Sequence, residues 1–125
     1  MKVLDTSVAI DHLRGADAAV DLLAATLDAG EALVASEVVR FELLAGARDT
    51  EMEGIEDFSA AISWIPVSEE VTRAAASLAR RHRKSHSGID DADYLIAATA
   101  LLLDAELLTT NVRHFPMIPE LTAPY

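Results

Sequence analysis

Short apolar segments that alternate with helical ones constrain the fold of this chain more than any other feature. Residues 2–5, 32–35, 63–67 and 106–109 read as strands, and one or two helical segments separate each from the next. Strands that alternate with helices form a parallel sheet with helices on both faces. The pattern therefore predicts an α/β fold with a mainly parallel central sheet of four to five strands. The fifth strand would be residues 117–122, which Pro119 interrupts.

The predicted helices lie between Thr6 and Gly15 and over residues 17–27, 37–47, 49–63, 68–84 and 90–104. In the second of them, Val20, Leu23 and Leu27 share one side and are expected to face the core. Nearly every side of the last one is apolar after its first turn, so we expect that helix to be buried.

Length and composition indicate one domain over residues 1–125. A chain of 125 residues with 51% hydrophobic residues can bury a substantial core, and no linker or repeat divides it. The lack of cysteine excludes disulfides and thiolate metal sites and fits a cytoplasmic protein. We expect no signal peptide, because Asp5 breaks the first apolar run, and no membrane span.

The net charge of −11, from 10 basic and 21 acidic residues, argues against broad, non-specific binding of nucleic acid. It does not exclude an enzyme that acts on nucleic acid, because a bound metal ion can supply positive charge locally.

Three carboxylates, Asp90, Asp91 and Asp93, open the last helix. One acid is enough to cap a helix and to interact with its dipole. Three within four residues repel one another unless a positive group lies among them. A bound divalent cation and a capped, solvated helix start are both compatible with this stretch alone.

Other polar residues are expected at the same edge of the sheet. Asp5 ends the first strand and Asn111 follows the strand at 106–109, and ligands bind at the carboxyl ends of parallel strands. Glu42 shares a helix face with Val38 and Gly46, where a carboxylate is costly unless it is paired or bound to a metal. An ion pair with a nearby arginine or simple exposure would also account for it.

Oxygen ligands select a hard cation, Mg²⁺ or Mn²⁺, and such ions mainly support phosphoryl transfer. His82 and His86 are four residues apart, but cations surround them, so a metal site there is not expected. The basic run that includes Arg80, Arg81, Arg83 and Lys84 could hold an RNA backbone or could be a solvated helix end.

Four motifs together resemble the PIN-domain family, and most closely the VapC-type toxins of type II toxin–antitoxin systems. They are VLDTS at residues 3–7, FELLAG at 41–46, DYLIAATA at 93–100 and LTTNVRHF at 108–115. The resemblance extends from end to end and implies a three-layer α/β/α sandwich. It also implies an endoribonuclease that depends on Mg²⁺ or Mn²⁺.

In that family pattern Asp5, Glu42 and Asp93 match the acidic triad. Asp5 and Asp93 would bind the metal directly, and Glu42 would bind it through water or orient the attacking water. Asp91 matches an additional acid, whereas Asp90 has no strong counterpart and reads as the helix N-cap. The polar residues that would support the metal ligands are Thr6, Thr109 and Asn111, the last of which is Asp in some members.

The resemblance implies RNA as substrate, a cognate VapB-like antitoxin that blocks the site, a homodimer and no membrane. Two other classes stay open. One is a catalytically silent PIN-like interaction module, against which the intact triad argues. The other is a magnesium-dependent phosphatase or phosphoacceptor, against which the lack of a lysine near Asp5 or Asp93 argues.

Overall fold

The computed structural model of the protein describes all 125 residues. The strands are β1 (Lys2–Leu4), β2 (Leu33–Ser36), β3 (Ser63–Ile65) and β4 (Glu106–Leu108). The helices are α1 (Thr6–Leu13), α2 (Asp17–Asp28), α3 (Glu37–Ala45), α4 (Met52–Ala60), α5 (Glu69–His82) and α6 (Asp91–Leu103), with short 3₁₀-helices at Asp49–Glu51 and Val112–His114. No helix is long and apolar enough to cross a lipid bilayer.

The four strands form one parallel sheet in the order β3-β2-β1-β4, which confirms the predicted α/β class. Val3 and Leu4 are successive residues of β1, so their side chains point to opposite faces of the sheet. Both residues are 0% exposed, which requires helices on both faces. The result is the expected three-layer α/β/α sandwich.

The helices around the sheet bring the start of α6 to the carboxyl ends of the strands. Helix α6 packs on β2 and β4, and α5 packs along α6. Helix α2 packs on β2, while α1 contacts α2, α3 and α4. Because α6 precedes β4 and runs antiparallel to it, the first turn of α6 lies at the edge where β1 and β4 end.

The predicted fifth strand at residues 117–122 is wrong. After Phe115 the chain makes turns, and the sheet keeps four strands. Pro116 and Pro119 lack the N–H groups that a strand would donate. Glu120, with φ 58°, turns the backbone out of the extended region.

Two predictions about buried helix faces also need correction. In α2, Leu23 is buried with Ala19 and Thr26, whereas Val20 and Leu27 are 37% and 48% exposed. The inner face of α2 thus combines Leu23 with two smaller residues. The first part of α6 is buried as expected, but Leu101 and Leu102 are each 44% exposed near its end.

Candidate metal-dependent active site

The carboxylate of Asp5 lies at the end of β1, beside the end of β4. Leu4 pairs with Leu108 in the parallel register, and the Asp5 N–H donates to the Leu108 carbonyl at 3.0 Å. The register therefore places Asp5 opposite Thr109, whose hydroxyl donates to Asp5 Oδ2 at 2.7 Å. Both residues are buried. A buried carboxylate needs such donors, because burial without partners disfavours its charge.

Ser7 completes the support of the same carboxylate oxygen. Its hydroxyl donates to Asp5 Oδ2 at 2.8 Å and accepts from the Thr110 N–H at 3.1 Å. The Asn111 N–H in turn donates to Thr109 Oγ1 at 3.0 Å. This chain of hydrogen bonds fixes Oδ2, while Oδ1 receives no side-chain donor and is left for another ligand.

Asp93 lies in the first turn of α6 and extends the acidic site. Asp90 is the N-cap residue, as predicted, and its N–H donates to Asp93 Oδ2 at 3.1 Å. The same oxygen lies 3.4 Å from His114 Nδ1. Burial raises the pKa of Asp93 and the charge of Asp5 raises it further, while the Asp90 N–H and His114 lower it. Asp5 and Asp93 are therefore close enough to repel each other.

Glu42 reaches the site from α3, where it is half-buried. The Thr6 hydroxyl donates to Glu42 Oε1 at 2.6 Å, which links the start of α1 to α3. No arginine or lysine nitrogen lies within 4 Å of the Glu42 carboxylate. Arg40, which is two residues away in sequence, pairs with Glu37 at 2.5 Å. Glu42 also lines a cleft of about 360 Å³ that Arg48 borders.

Some residues expected at the site do not join these acids. The Asp91 carboxylate points to Arg83, with Nη2 to Oδ1 at 2.7 Å, and its side chain is 86% exposed. Asn111 contributes its main-chain N–H, and its side chain makes no hydrogen bond. Arg80, Arg83 and Lys84 line a separate groove on α5, and Arg81 is exposed outside it.

Two residues at the site were not singled out from the sequence. Ser7 lies two positions after Asp5, which lets its hydroxyl reach back to that carboxylate. His114 lies in a motif quoted above, but its contact with Asp93 depends on the 3₁₀-helix that follows β4. Spacing alone gives no signal for that contact.

The donor atoms fit a hard divalent cation that keeps part of its water. No three of the His, Asp and Glu side chains converge closely enough to enclose a metal ion. Mg²⁺ is commonly held by only one or two carboxylates and retains several waters. Asp5 and Asp93 provide such a pair. Burial is the main cause of the raised pKa of Asp93 and the charge of Asp5 adds to it, and a cation between the two carboxylates would offset both effects.

A parallel three-layer α/β/α sandwich with carboxylates at the carboxyl edge of its sheet defines the class of this protein. The PIN domain family matches residues 2–120, and the chain belongs to that family. Ribonuclease VapC19 of Mycobacterium tuberculosis is 58% identical over 125 residues and is covered completely, as is this chain. Ribonuclease VapC10 of the same species is 41% identical over 125 residues, which are 100% of this chain and 93% of VapC10.

Solved structures share the fold at lower identity. The crystal structure of VapBC2 from Rickettsia felis bound to a promoter DNA fragment matches with a TM-score of 0.84 at 22% identity. The match covers 98% of this chain and 96% of that one. A toxin–antitoxin complex from Klebsiella pneumoniae matches with a TM-score of 0.80 at 24% identity, over 100% and 98% of the two chains.

Proposed function

We propose that this protein is a divalent-metal-dependent endoribonuclease and the toxin of a VapBC-type toxin–antitoxin pair. The observation that carries the proposal is that Asp5 and Asp93 lie at the same carboxyl edge of the sheet, near enough for the charge of Asp5 to raise the pKa of Asp93. Membership of the PIN-domain family and 58% identity to a protein named as a ribonuclease support the same reaction. The reaction is hydrolysis of phosphodiester bonds in RNA.

In this proposal Asp5 and Asp93 hold Mg²⁺ or Mn²⁺. Such an ion, when bound, neutralises charge on the scissile phosphate and activates water. Ser7 and Thr109 fix one oxygen of Asp5 and direct the other towards the ligand. The Asp90 N–H does the same for Asp93. These contacts hold the carboxylates in place before the substrate arrives.

Glu42 is the third acid of the proposed machinery. Thr6 orients it through one oxygen, which leaves the other free to accept a proton from an attacking water molecule. Thr6 is the only side chain that donates to Glu42, so its second oxygen is open to such a water. We keep Asp91 outside this set because it pairs with Arg83.

The structure argues against the phosphoacceptor alternative. A phosphorylated aspartate needs a nearby cation to stabilise the phosphoryl group, and no lysine contacts Asp5 or Asp93. Lys2, the lysine nearest in sequence to Asp5, is bound to Glu31 and Glu106 at the opposite end of β1. The silent-module alternative would be favoured by the loss of an acid, and all three acids are present.

We further propose that a VapB-like antitoxin is the protein partner, since the neighbours in solved structures are VapBC and other toxin–antitoxin complexes. A homodimer is part of the same proposal, and light scattering on the purified protein tests it. Because the proposed substrate is cellular RNA, we expect the protein to act in the cytoplasm.

The test is cleavage of a mixed cellular RNA pool by purified protein with Mg²⁺ or Mn²⁺. EDTA and the Asp93→Asn variant are the controls, because Asn keeps the hydrogen bond from Asp90 while it removes the charge. Metal-dependent cuts that disappear in the variant support the proposal. Cuts of equal yield by Asp93→Asn would refute the assignment of the site.

A further inference from the structure

The end of α5 carries basic residues that have no acidic partner, although acids outnumber bases 21 to 10 in this chain. Four of the ten basic side chains lie within 4 Å of a carboxylate, namely Lys2, Arg40, Arg73 and Arg83. Among the six that do not, Arg80 and Lys84 line the same groove. In so acidic a protein, neighbouring cations left without partners are available to an anionic ligand.

These cations border a groove of about 520 Å³ on the surface of α5. Its lining consists of Ala76, Ala79, Arg80, Arg83 and Lys84. Helix α5 ends at His82, so Arg80 lies in its last turn and Arg83 and Lys84 lie in the turn that follows. The small alanines let a ligand approach the helix closely, while the three long side chains surround it with positive charge.

The groove adjoins the acidic site through Arg83. The Arg83 guanidinium donates to Asp91 Oδ1 at 2.7 Å and lies 5.8 Å from the ring centre of Tyr94. Asp91, Asp93 and Tyr94 all belong to the first turns of α6. Arg83 therefore connects the groove to the helix turn that carries Asp93.

We propose that this groove binds backbone phosphates of a single-stranded RNA whose scissile bond lies at Asp5 and Asp93. The proposal rests on the function proposed above and adds where the strand lies. Arginine and lysine are the side chains that bind phosphates, and such contacts position a nucleic acid without reading its sequence. Local cations also explain how an acidic protein can hold a polyanion close to its carboxylates.

The test measures binding separately from cleavage. In the binding test the parent and every variant carry Asp93→Asn, so that the RNA is not cleaved. The probe is a labelled single-stranded 2′-O-methyl RNA oligonucleotide of mixed sequence. Fluorescence anisotropy gives the dissociation constant over a range of salt concentrations. Each phosphate contact with a single strand contributes about 0.7 to the slope of log affinity against log salt. The double variant Arg80→Gln/Lys84→Gln should therefore bind more weakly, with a slope lower by about 1.4.

Arg73→Gln is the matched control. It removes one positive charge from α5, where the double variant removes two from the groove, and Arg73 is already paired with Glu69 and is 78% exposed outside the groove. Its affinity and salt slope should equal those of the parent. In the active chain, the double variant should raise KM with kcat unchanged, because Arg80 and Lys84 do not touch the reacting atoms.

The outcomes separate the two proposals. If the parent cleaves RNA but the double variant keeps its affinity, salt slope and KM, the groove does not bind the substrate and the nuclease assignment stands. If the parent neither binds the oligonucleotide nor cleaves RNA with Mg²⁺ or Mn²⁺, both proposals are overturned.

Discussion

Replacement of Thr109 by valine tests how the site holds its most buried carboxylate. Valine has nearly the same shape, so the change removes the hydroxyl that donates to Asp5 Oδ2 at 2.7 Å. A hydrogen bond to a charged group contributes about 1.5–3 kcal/mol, and Ser7 still donates to the same oxygen. We therefore expect Thr109→Val to lower the free energy of unfolding by about 2 kcal/mol.

Urea denaturation followed by the fluorescence of Trp64, the one tryptophan in the chain, measures this loss. RNA cleavage is measured in parallel, and residues that orient metal ligands commonly affect activity by about 10–100-fold. Thr109→Ser is the control, because it keeps the hydroxyl and removes one buried methyl group, at about 1 kcal/mol. Serine should retain cleavage and valine should lose it. A valine variant as stable and as active as the parent would refute the role of Thr109.

Three further predictions follow from the same structure. Asp93→Asn should stabilise the fold at pH 7, because burial and Asp5 raise the pKa of Asp93 and so make its charge unfavourable. The gain should vanish as the pH falls below the unfolded value of 3.8, and thermal denaturation at several pH values measures it. Ser68→Ala removes the hydroxyl that accepts from the Val71 N–H, and should cost about 1 kcal/mol in urea denaturation while RNA cleavage stays unchanged. Mg²⁺ at 100 times its dissociation constant should stabilise the parent by about 2.7 kcal/mol, and in the same denaturation assay Asp5→Asn should lose most of that gain.

The sheet and the position of its acids were predictable because they depend on local patterns. A short apolar strand that ends in Asp5, and a helix that opens with Asp93 and runs back to the next strand, lead to the same edge of a parallel sheet. That argument needs only the direction of each element. It therefore located these two carboxylates without knowledge of any contact between side chains.

The errors came from features that depend on packing between elements. Val20 and Leu27 have the right spacing for a buried face, but α2 turns Ala19 and Thr26 inward instead. Spacing alone does not show which of two adjacent helix faces will pack against the sheet. Asp91 and Asp93 are two residues apart in sequence, and the pairing of Asp91 with Arg83 depends on how α5 packs along α6. The role of Ser7 depends on β4, which lies about a hundred residues away in sequence.

The pairing of the first strand with the last has a consequence for the order of synthesis. Asp5 leaves the ribosome early, but Thr109, which holds it, follows 104 residues later. Strand β1 has no partner on its β4 side until the end of the chain is made. A growing chain therefore carries its acids apart, and the site forms only when translation is nearly complete. The proposed metal site therefore lacks the support of Thr109 until the last strand has left the ribosome.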